Sequence, residues 1–155
     1  MKTATPHDRD ANRQIISSNE AFRLESTWTY VAGTTGAVAQ HTLFTVTDNC
    51  LVNVFGICDT DLAGATATIS IGTAGNVAGI IALTTATDID DGDVWVDATP
   101  GAQVEALPQR AFIVNDGQDI TADILTAAIS GGVIDFYCLW RPLTELSNVT
   151  VTTPA

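Results

Sequence analysis

From Phe22 onward the chain alternates between apolar and polar positions. Phe22, Leu24, Trp28 and Tyr30 fall on one face of an extended segment and Arg23, Glu25, Thr27 and Thr29 on the other, with Ser26 interrupting the apolar series. A period of two over that length predicts a half-buried strand. Gly33-Thr-Thr-Gly36 then reads as a turn and residues 37–47 as the next strand, where adjacent Leu43 and Phe44 imply a bulge or burial on both faces. After Asp48-Asn49, residues 50–58 form an almost continuous apolar run broken by Asn53 and Gly56, the mark of a strand in the middle of a sheet. Residues 59–64 read as a loop, and Thr66, Thr68 and Ser70 alternating with Ala67, Ile69 and Ile71 as another strand.

Further on, residues 72–76 turn the chain and residues 77–84 form a short apolar run. An acidic loop at 88–93 follows, then a short alternating segment around Val94 and Val96, and an irregular stretch from Pro100 to Pro108. Residues 111–115, 120–126 and 133–139 supply three more strands, parted by Asp116-Gly117 and Gly131-Gly132. No segment has the sustained 3.6-residue period of a long amphipathic helix. About eight to ten short strands with turn signals every 8–12 residues predict an all-β fold, a β-sandwich or a jelly-roll-like barrel. Residues 1–20 are polar, contain Pro6 and keep no period, so they read as an extended N-terminal arm; residues 21–143 form the sandwich domain, and residues 144–155 a loose C-terminal tail.

Charge divides the chain at nearly the same place. Residues 1–23 carry four of the six Lys and Arg against three acids, whereas residues 24–155 carry two bases against fifteen acids, within a net charge of −12. So acidic a body disfavours nucleic acid and anionic membrane surfaces, which need clustered bases. The first residues have no apolar core of the kind a secretory signal needs, and the run from Val77 to Leu83 is far short of the ~20 apolar residues of a membrane helix. The expectation is a soluble protein made in the cytoplasm.

Candidate chemistry is sparse. Cys50, Cys58 and Cys138 match no metal-ligand spacing, and on one straight strand the first two would lie roughly 26 Å apart at ~3.3 Å per residue. Three buried thiols acting as small hydrophobes are expected. Asp88-Ile-Asp-Asp-Gly-Asp93 concentrates four carboxylates, but an EF-hand loop beginning at Asp88 would need glycine and glutamate where Asp93 and Thr99 stand. The segment reads as a solvated acidic turn, with a looser calcium loop as the alternative. His7 and His41 have no nucleophile motif around them, and His41 reads as a hydrogen-bonded strand residue. No enzymatic activity, cofactor or metal is expected. Trp95, between Asp93 and Asp97 on the polar face of its segment, is a candidate exposed anchor for a partner or for a carbohydrate, whereas Trp28 and Trp140 fall on core faces.

Whole segments resemble a group of tailed-bacteriophage virion proteins found alongside capsid proteins. The residues that carry the resemblance are Gly33-Thr-Thr-Gly-Ala-Val-Ala-Gln-His-Thr-Leu-Phe-Thr-Val-Thr47, Leu51-Val-Asn-Val-Phe-Gly56, Thr84-Thr-Ala-Thr-Asp-Ile-Asp90 and Asp135-Phe-Tyr-Cys-Leu-Trp-Arg-Pro-Leu143. The last is the most distinctive. The resemblance implies a structural virion protein, and within that class a decoration or cement protein on the capsid exterior. Its partners would be the major capsid protein and copies of itself, with a trimer favoured. The arm would grip the shell, with Arg9 and Arg13 pairing to carboxylates and Ile15 and Ile16 supplying apolar contact. A tail, fibre or head-completion component and a carbohydrate-binding sandwich are the alternatives.

Overall fold

The computed structural model describes residues 22–107 and 111–153. Arg9, Arg13, Ile15 and Ile16 lie outside the described residues. Two antiparallel sheets pack face to face as an all-β sandwich; they do not close into a barrel, which removes that form of the expectation.

The first sheet contains β1 (Phe22–Thr29), β3 (Cys50–Ala63), β6 (Asp93–Trp95), β7 (Gly101–Ala102), β8 (Phe112–Val114) and β10 (Gly131–Pro142). Its order is β1-β10-β3-β6-β7, with β8 also paired to β3. The second contains β2 (Gln40–Thr47), β4 (Thr68–Thr73), β5 (Asn76–Thr85), β9 (Ile120–Leu125) and β11 (Asn148–Val151), in the order β11-β2-β9-β4-β5. A short 3-10 turn at Ala86–Asp88 leads from one sheet to the other.

The predicted alternation packs the interior. Trp28, Val52, Val54, Phe136 and Cys138 from the first sheet meet Phe44, Val46, Ile69, Ile71, Ile81, Ile120 and Ile124 from the second in one hydrophobic cluster. Leu43 and Phe44 are both buried, and the pairing of β2 with β9 shifts register between Thr42 and Phe44. Two adjacent apolar residues can both be buried where such an irregularity breaks strict alternation.

Two predicted boundaries move. The segment 59–64 continues β3 as far as Ala63, since the long strand β10 supplies partners for it: Thr60 pairs with Val133 and Ala63 with Gly131. Leu62 is buried there, and β10 meets this extension through a bulge at Gly131-Gly132. Gly132 has φ +115°, and a Cβ on it would lie 2.7 Å from the Asp61 carbonyl oxygen, so a side chain there is excluded twice over. The expected loose tail also contains a strand, β11, which pairs with β2 from Asn148↔Thr47 to Val151↔Phe44 and buries Val149 in the core.

Candidate functional site

Trp95 is not an exposed anchor. It is 0% exposed, its indole Nε1 donates to Thr84 Oγ1 at 3.0 Å on the opposite sheet, and its ring lies 6.3 Å from that of Phe136. Alternation in β6 runs opposite to the expected sense because Asp93 also points inward. Asp93 Oδ2 accepts from the Asp90 N–H at 3.0 Å and closes the acidic turn on itself. With Asp93 so engaged, the next residue on that face is buried, and that residue is Trp95.

The same turn is held by backbone groups. Gly92 N–H donates to the Cys58 carbonyl at 2.9 Å and Asp91 N–H to Asp61 Oδ1 at 2.6 Å. Among the described residues no cluster of three or more His, Cys, Asp or Glu is placed to hold a metal ion.

The three cysteines are free and buried. Burial pushes the thiols of Cys58 and Cys138 up to about 11 and about 12, and that of Cys50 up as well. Neutral thiols in an apolar interior are poor nucleophiles. His41 is half-buried, with Nε2 2.9 Å from the Ala37 carbonyl oxygen and its ring edge-on to Trp28 at 5.8 Å. It is thus tied to its own loop and to the core.

An apolar surface feature lies where β1 begins and β10 ends. Trp140 lies against Phe22, ring centroids 4.8 Å apart, and Phe22 is 52% exposed. Pro142, Leu143, Thr144, Glu145 and Ser147 complete an open depression of about 530 Å³. Leu143 is 50% and the adjacent Leu146 77% exposed. A contiguous set of large apolar side chains left in water marks a contact site more often than an accident of folding.

Asn49 organises this rim. Its carbonyl accepts from Leu143 N–H at 3.1 Å and from the Ser147 hydroxyl, and its side-chain carbonyl accepts from Asp116 N–H at 3.0 Å. Ser147 Oγ also accepts from Thr144 N–H at 3.0 Å, fixing the turn that carries Leu143 and Leu146. The depression is therefore backed by three chain segments rather than by one mobile loop. Leu143 closes the segment from Asp135 that the resemblance singles out and Leu146 falls in the expected loose tail; nothing in the periodicity pointed to a surface there.

Comparison with protein-family models, with curated proteins and with solved structures returns no match. Among the described residues no helix is long and apolar enough to cross a membrane.

Proposed function

We propose that this chain is a non-enzymatic structural protein of a tailed-phage virion that binds the outside of the capsid and stabilises the head. The observation that carries the reading is a coincidence of position: the basic leader joins the body at Phe22, in the wall of the apolar depression. A leader that joins the body there can offer guanidinium groups to the same protein partner to which the depression offers apolar contact. The most distinctive resembling segment, Asp135 to Leu143, is most of β10 and ends in that wall with Trp140, Pro142 and Leu143.

Acidity of the body fits an outward position, away from packaged nucleic acid. A cement acts by mass action, binding the assembled shell in preference to free subunits. Its removal is accordingly expected to lower the temperature at which heads release their genome, and adding back the purified protein to restore it. Heads that resist heat and internal pressure equally well without it would refute the cementing role. Copy number separates the tail or fibre alternative: hundreds per virion place the protein on the shell, a handful at the neck or tail. The carbohydrate alternative loses its aromatic platform with the burial of Trp95.

A further inference from the structure

The two outer faces of the sandwich differ in kind. On the second sheet the residues between the core positions Ala122, Ile124, Ile69 and Ile71 form cross-strand rows, Gln40 with Asp123 and Ser70, then Thr42 with Thr121 and Gly72, all polar or without a side chain. That is the alternation of an antiparallel sheet with one face toward water. The first sheet lacks it. β3 turns Val52, Val54 and Cys58 into the core, yet its opposite side carries Leu51, Phe55 and Ile57. A strand apolar on both sides suits a sheet that is covered on both sides.

Strand pairing joins these residues into one patch. Phe55 lies opposite Tyr137, the two rings stacked with centroids 5.3 Å apart, and in the next row Asn53 lies opposite Leu139. Leu51 is flanked by Ile113 of β8, and Ile57 by Val94 of β6. Ile57 is 37% and Ile113 69% exposed, so the described chain leaves the patch open at both ends. Its charges are ordered along the strands. Arg23 and Arg141 are the only Lys or Arg among the described residues, and both lie on this face, Arg23 opposite Leu139 and Arg141 opposite Leu51. Toward the other end of the same two strands come Glu25, opposite Tyr137, and Asp135, opposite Ile57.

We infer that this face is where two copies of the chain meet, sheet against sheet, about a two-fold axis running across the strands between the rows of Tyr137 and Leu139. Such an axis exchanges the row of Tyr137 with that of Leu139, and the row of Asp135 with that of Arg141. Glu25 of each copy then meets Arg23 of the other, and Asp135 of each meets Arg141 of the other. The apolar residues match under the same operation, with Ile57 over Leu51 and Val94 over Ile113. Charge selects the occupant. A face whose bases and acids change places under one rotation fits a copy of itself better than a partner of either sign. Elsewhere two copies repel, since residues 24–155 hold two bases against fifteen acids. Facing sheets pack about 10 Å apart, a gap that an arginine and a carboxylate side chain bridge together. The contact stands whether or not the outer partner is a capsid, and it differs from the trimer that the resemblance implies.

Sedimentation equilibrium of the full chain over a range of concentrations tests it. The expected mass rises from 16.2 kDa toward twice that value. Leu139→Asp, which sets two carboxylates beside the axis, is expected to return it to the monomer with an unchanged far-ultraviolet spectrum. Exposed Arg23 and Glu25 supply variants that spare the fold: Arg23→Glu is expected to weaken the dimer by about tenfold or more, and Arg23→Glu combined with Glu25→Arg to restore it. Leu146→Asp, on the depression, is expected to leave the dimer intact. Hydroxyl-radical footprinting of the unaltered chain gives a second readout, with Phe55, Tyr137 and Ile57 gaining protection as concentration rises. A monomer at all concentrations, a trimer, a dimer indifferent to Arg23→Glu, a charge swap that fails to restore it, or a footprint that does not change with concentration would each overturn the inference.

Discussion

Replacing Trp95 by alanine removes an indole that lies wholly between the sheets, together with its hydrogen bond to Thr84, and is expected to cost about 3–5 kcal/mol. Urea denaturation measures this, and a change below about 1 kcal/mol would contradict the burial. The buried thiols give a pH dependence of definite sign. Their ordinary value is 9.0, raised in the fold to about 11 for Cys58 and about 12 for Cys138. Between those limits the unfolded chain has lost the proton that the folded chain keeps. The contribution of these thiols is therefore fully present below pH 9.0 and is lost as pH rises through about 11 for Cys58 and about 12 for Cys138. Urea midpoints at pH 8 and pH 10.5 test this, and Cys58→Ala and Cys138→Ala variants should flatten the slope. Trp28 and Trp140 were legible as core residues from two-residue periodicity alone. Trp95 was not, because the side chain that sets its face, Asp93, is a charged residue buried by a hydrogen bond to a turn, and periodicity reads every aspartate as outward.

At the level of elements, strand positions could be read wherever alternation ran for five residues or more, as in β1, β4 and β9. Ends were less legible, since they depend on what the partner strand offers. β3 runs on to Ala63 because β10 is long enough to pair with it, a fact held in residues seventy positions away. β11 escaped notice because four residues carry little pattern, yet Asn-Val-Thr-Val is an alternating strand anchored by Val149. Truncation after Ser147 is thus expected to lower stability by about 1.5–3 kcal/mol, the worth of burying one valine, and to expose the edge of β2. An unchanged melting temperature would show that β11 is dispensable. The apolar depression was illegible for a related reason: Phe22 is far in sequence from Trp140 and Leu143 and meets them only because β1 pairs with β10, Phe22 opposite Trp140.

For the whole molecule, the division of charge that separates residues 1–23 from the rest acquires a location. The described body begins at Phe22, in the wall of the apolar depression, and the proposed function assigns the bases that precede it in the sequence to the same partner as that depression. A chain lacking residues 1–19 is expected to fold with an unaltered melting temperature and to bind heads at least tenfold more weakly in a cosedimentation assay. Undiminished binding would remove the leader's role and leave the depression as the contact. The proposed function puts this protein on the outside of a phage head, and a cryo-EM reconstruction of the intact particle tests that directly. It is expected to show a two-sheet density repeated over the outer surface of the head, with the end bearing Phe22 and Leu143 turned toward the shell. A bare outer surface, or matching density confined to the neck or tail, would contradict it.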